Sequence, residues 1–148
     1  MEARLQRRIQ RYGWDKAVRY YEQYWGQQLA LAQRRLLEMA AIQPGEWVVD
    51  VACGTGLVTV RAAASVGPAG VVVGTDISAQ MVASAYTVAV RHHLRHTTFA
   101  RMDAEELQLL DGTFKPRRDS PFFTRLALKR RGDLSILAKI DALQSVIN

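Results

Sequence analysis

The chain has 148 residues, 49% hydrophobic and 23% charged, with Cys53 its one cysteine. This suits one soluble globular domain and excludes an intrachain disulfide and wholesale disorder. With no stretch near the roughly 18 apolar residues that span a bilayer, and no apolar core after the polar N-terminus, neither a membrane span nor a signal peptide is expected, which makes the cytoplasm the expected location. The formal net charge of +6 is uneven: residues 115–148 hold eight of the twenty Lys and Arg against three of the fourteen acids, while residues 1–114 are nearly neutral.

From about Asp15 to Ala41, Val18, Tyr21, Trp25, Leu29, Ala32, Leu36 and Met39 recur at steps of three and four. That period predicts one amphipathic helix, with Asp15 as its cap. Gln43-Pro44-Gly45-Glu46 ends it with turn chemistry. Trp47–Ala52 reads as a strand buried on both faces, followed by the turn Cys53-Gly54-Thr55-Gly56. A helix from Leu57 to Val66 is closed by Gly67 and Pro68. Val71–Thr75 is a second strand ending at Asp76, Ser78 caps a helix reaching about His92, and Thr97–Arg101 is a third strand. Helix, then β-α-β-α-β, predicts an α/β fold with a parallel sheet and right-handed crossovers.

The chemistry gathers at the strand ends. A turn holding Gly54 and Gly56 lets backbone approach a ligand closely, and the helix after it offers free N–H groups and a partial positive charge. Asp76, twenty residues after Gly56, is placed to accept from ribose hydroxyls. A dinucleotide fingerprint would need a third glycine where Thr59 stands, and it avoids a carboxylate such as Asp50 near the pyrophosphate. A ligand bearing an ammonium group and no phosphate suits Asp50.

Val48–Gly56, with Val73-Gly74-Thr75-Asp76-Ile77-Ser78-Ala79-Gln80-Met81 and Asp103-Ala104-Glu105-Glu106-Leu107 followed by Asp111-Gly112-Thr113-Phe114, resembles three successive motifs of class I S-adenosylmethionine-dependent methyltransferases. The likeness is to the small-molecule branch that includes ubiquinone/menaquinone-biosynthesis methyltransferases. The resemblance implies a Rossmann-like fold with S-adenosylmethionine as cofactor and a small-molecule methyl acceptor. It implies that Gly54 and Gly56 pass under the methionine portion and that Asp50 holds its amino group. It also implies that Asp76 binds the ribose, that Ile77 and Met81 pack near the adenine, and that Asp103 accepts from the adenine amino group beside the Ala104 backbone. Ala52 stands where glycine is more usual.

The resemblance covers about residues 10–114. After Phe114, Lys115-Pro116-Arg117-Arg118 replaces the expected fourth strand. The organisation expected is therefore a helical lid over 1–43, a cofactor-binding βαβαβ half over 44–114, and an atypical basic tail over 115–148. In the tail, Phe122–Arg131 reads as a short helix, and Ile136, Ile140, Leu143 and Ile147 as the apolar face of another. A truncated or frame-shifted reading is favoured for this tail over a genuine alternative C-terminus, which leaves an incomplete doubly wound sheet. No general base can be named. The competing reading is a non-catalytic cofactor-binding fragment or partner subunit.

Weaker features have plainer explanations. Tyr20 and Tyr24 are candidates to shape the substrate pocket from the lid, against ordinary helix packing for Tyr21 and Trp25. His92, His93 and His96 suit a helix C-terminus better than a metal. Cys53 lacks the His–acid pair of a nucleophile, and the Lys129-Arg130-Arg131 run lacks a nucleic-acid-binding motif around it.

Overall fold

The computed structural model describes residues 3–105 and 107. The expected tail helices, the Asp111-Gly112-Thr113-Phe114 segment and the whole 115–148 region lie outside them. Two helices, α1 (Ala3–Trp25) and α2 (Ala30–Ala40), precede β1 (Trp47–Val51), α3 (Leu57–Val66), β2 (Val71–Asp76), α4 (Ala79–Arg91) and β3 (Thr97–Arg101). The N-terminal region is thus two helices and not one, and Asp15 lies inside α1 instead of capping a helix. The apolar period runs through residues 26–29, but this stretch holds Gly26, Gln27 and Gln28 and forms a turn closed by Leu29 N–H donating to the Trp25 carbonyl at 2.9 Å. α2 ends in a left-handed Ala41 whose N–H returns to Leu37 and Glu38.

Among the described residues the sheet has three parallel strands in the order β1-β2-β3. Val49 lies opposite Val73, and Gly74 opposite Phe99. All three strands therefore finish at the same edge, where open α/β sheets place their ligands. Gly74 is required by packing: a Cβ there would stand 2.7 Å from the Phe99 ring. The ring lies across the middle strand because that side chain is missing.

One face of the sheet is closed by α3. Val48, Ala62, Ala63, Val66 and Val72 form a buried cluster, with Leu37, Ile42 and Leu94 packed against it. Val72 is fully buried, worth roughly 1.5–3 kcal/mol relative to exposure. α4 buries Met81, Ala85 and Ala89. Alanines at these contacts let the helices lie close to their neighbours. No helix among the described residues is long and apolar enough to cross a membrane.

Candidate functional site

The loops leaving β1, β2 and β3 converge on a cavity of about 220 Å³. Its floor is built in strand order. Ala52 and Gly54 follow β1, Asp76 and Ile77 close β2, and Met102, Asp103, Ala104 and Glu105 follow β3, with Met81 entering from α4. Seven of the nine expected site residues thus line one cavity: Ala52, Gly54, Asp76, Ile77, Met81, Asp103 and Ala104.

Asp76 is buried at 8% exposure, and backbone groups fix both its carboxylate oxygens. Gly54 N–H donates to Oδ2 and Ser78 N–H to Oδ1, each at 2.9 Å. This ties the end of β2 to the glycine turn after β1. Each oxygen keeps further lone-pair capacity. The two remaining expected residues do not reach the cavity wall. Asp50, 5% exposed, accepts from the Thr59 hydroxyl at 2.6 Å, so its carboxylate braces the turn against the first turn of α3. Gly56 is the N-cap of α3 with φ +88°, and a Cβ there would lie 3.1 Å from the Ala85 Cβ. Its smallness serves the approach of α3 to α4.

The wall facing the strand ends is α1, through Arg7, Gln10, Trp14 and Tyr21. Steps of three, four and seven place these four on one helical face. Tyr21 lies over the β1 end, its Cε1 3.8 Å from where a Gly54 Cβ would stand. Trp14 meets Tyr21 edge to face, with ring centroids 6.0 Å apart at 76°. At the other end Arg7 Nη1 donates to Asp103 Oδ2 at 3.1 Å and lies 3.5 Å from Glu105 Oε2. Asp103 also accepts from Glu105 N–H at 3.0 Å. Tyr20 and Tyr24, the weaker candidates for shaping the pocket, are exposed, at 57% and 60%, and tilt against each other.

A second contact fastens α1 in the middle. Ser78 caps α4 by accepting from Met81 N–H at 3.1 Å, and its own hydroxyl donates to Asp15 Oδ1 at 2.6 Å. Gln80 N–H donates to the same oxygen at 3.3 Å. A carboxylate from one helix thus serves the positive end of another. The Ser78 hydrogen bond, helped by Gln80 N–H and the charges of Arg11 and Arg101, holds the Asp15 carboxyl below its ordinary value against an opposing cost of burial.

Arg7, Gln10 and Met102 were not singled out in the sequence, and Tyr21 was read there as ordinary helix packing. The one available signal was the shared helical face of 7, 10, 14 and 21, which shows only if the helix begins near Ala3. Among the described residues no three potential ligands cluster for a metal. His96 Nε2 lies 2.9 Å from the Ala63 carbonyl and so links the turn before β3 to α3, and Cys53, which opens the glycine turn, is buried.

Residues 48–116 match a family model described as a methyltransferase domain. The chain is 37% identical over 81 residues to a nocamycin O-methyltransferase from Saccharothrix syringae, covering 55% of this chain and 29% of that one. It is 37% identical over 82 residues to a demethylmenaquinone methyltransferase from Symbiobacterium thermophilum, covering 55% and 33%. The chain thus spans about a third of the length of the curated relatives it matches. Among solved structures, the [4+2]-cyclase SpnF is similar at a TM-score of 0.50, with 29% identity over 55% of this chain and 30% of that one.

Proposed function

We propose, on the premise that over about half its length the chain resembles class I S-adenosylmethionine-dependent methyltransferases, that it binds S-adenosylmethionine at the strand ends and serves methyl transfer to a small molecule. The observation that carries this reading is the convergence on one cavity of residues from all three resembling motifs: Gly54, Asp76 with Ile77 and Met81, and Asp103 with Ala104.

The residues present fit the cofactor. A buried carboxylate with spare acceptor capacity, Asp76, suits a ribose diol; Ile77, Met81 and Met102 offer apolar wall to a purine; and Asp103 offers an acceptor to its amino group. Gly54 leaves the floor open for the methionine portion. Asp50 acts through the turn it braces, and its carboxylate, hydrogen-bonded to Thr59, makes the turn a poor seat for a pyrophosphate. When bound, S-adenosylmethionine supplies a methyl group already activated as a sulfonium. The chain's part is to hold that group and the acceptor in line and to keep water out. A small-molecule acceptor is supported by the relatives, which include an O-methyltransferase of nocamycin and a demethylmenaquinone methyltransferase. The likeness to a [4+2]-cyclase is a reminder that this fold also serves other chemistry.

The test is calorimetric titration of the full chain with S-adenosylhomocysteine. Saturable one-to-one binding, undisturbed by NAD, is expected. A folded chain that binds NAD but not S-adenosylhomocysteine, or neither, overturns the reading. Transfer of a labelled methyl group by the chain alone then separates an enzyme from a cofactor-binding unit that needs a second chain.

A further inference from the structure

The cavity and α4 engage one side of α1, through Arg7, Gln10, Trp14 and Tyr21 and through Asp15, which accepts from Ser78 and Gln80. The opposite side carries a second row at steps of three and four: Leu5, Ile9, Tyr12, Lys16 and Tyr20. All five are exposed, Ile9 at 56% and Tyr12 at 61%. From Leu5 to Tyr20 the row runs about 22 Å at 1.5 Å per residue. Its charge is of one sign. Arg8 and Arg19 are exposed beside it, and Lys16 lies within it, Nζ 4.5 Å from the centre of the Tyr12 ring. Glu22, the exposed acid of α1, lies off the row. An apolar row edged by cations calls for a surface that is apolar within and anionic at its face.

We propose that this outer face of α1 is a docking surface for an anionic lipid bilayer. Leu5 and Ile9 enter the boundary between headgroups and acyl chains, Tyr12 and Tyr20 lie at headgroup level with their hydroxyls in water, and Arg8, Lys16 and Arg19 meet lipid phosphates. The helix lies on the bilayer and does not cross it. The chain's formal net charge of +6 adds a long-range attraction of the same sign. Shape favours a bilayer over a protein groove. The inner side of α1 is closed against the cavity and α4, so no groove can wrap the helix, whereas a bilayer is flat and needs one face. Leu5 and Ile9 give nucleic-acid bases no ring to stack on. Two copies set face to face would oppose Arg8, Lys16 and Arg19 with their own like charges.

The experiment mixes the full chain with vesicles of phosphatidylcholine alone, or of phosphatidylcholine and phosphatidylglycerol in equal amounts, and measures the bound fraction by co-sedimentation at low and high salt. Binding to the mixed vesicles alone, weakened by salt, is expected. Variants are first shown to melt like wild type. Ile9→Ser weakens binding by about tenfold. Arg8→Gln combined with Arg19→Gln weakens it by about twenty-five-fold, about fivefold for each charge. Arg61→Gln, which removes an exposed charge from α3, leaves it within twofold. No binding to the mixed vesicles, or equal binding to both kinds, overturns the proposal. So does an unchanged affinity in Ile9→Ser, or an Arg61→Gln loss as large as the loss per charge on α1. Single-stranded RNA that displaces the chain from the mixed vesicles would mark the face as a nucleic-acid surface instead, and would equally overturn it.

Discussion

Ala52 leaves β1 with φ +55°, a left-handed conformation that costs a residue with a Cβ about 1–2 kcal/mol. The motif it resembles has glycine here, and the backbone supplies the reason. Ala52→Gly is expected to raise stability by about 0.5–1 kcal/mol, the strain relieved less the extra freedom glycine gives the unfolded chain. Urea denaturation checks this, and a lower midpoint would count against it. Thr75 offers a second case. Its hydroxyl is buried in the middle strand with no hydrogen-bond partner among the described residues. Thr75→Val keeps the shape and removes the unpaired group, so thermal melting should show a stability gain of about 1 kcal/mol.

At the scale of elements, α1 depends on α4. Asp15 is held below its ordinary carboxyl value of 3.8, chiefly by the Ser78 hydrogen bond. A depressed folded-state value means that this contribution is fully present above the unfolded value and is lost as pH falls through the folded one. Wild type should therefore lose stability between about pH 4 and lower values more steeply than Asp15→Asn, in matched melts across that range. Parallel curves would deny the link. The β-α-β-α-β portion was legible because glycines, a proline and a serine cap punctuate it: α3 and β3 have the bounds their residues predicted. The α1–α2 break was not, because residues 26–29 interrupt the backbone without interrupting the apolar period. Residues 3–14 were expected within a helical lid, but their Arg-rich, polar composition hid where α1 begins and which of its faces turns to the cavity.

Across the whole molecule, α1 presents two unlike faces. One carries Arg7, Trp14 and Tyr21 to the cavity; the other exposes Leu5, Ile9 and Tyr12 at 47%, 56% and 61%. Because Ile9 is away from the cavity, Ile9→Lys should reduce concentration-dependent light scattering and leave S-adenosylhomocysteine affinity unchanged. Loss of affinity would show that the two faces are not independent. The same duality explains how much of the site could be read in advance. The floor comes from motif residues close to the strands, whereas the opposite wall rests on contacts such as Arg7 with Asp103, 96 residues apart. Pairings at that separation leave no local pattern.

The fastening of α1 at Arg7 and Asp15, eight residues or about 12 Å apart, has a kinetic meaning. A helix held at two points does not slide aside; one point lets go first and the other becomes the pivot. Molecules held behind it would then stay for as long as the helix takes to unpin, a local opening with its own free energy. Dwell time in the cavity would be set by two polar contacts of α1, one of them between residues that line the cavity itself.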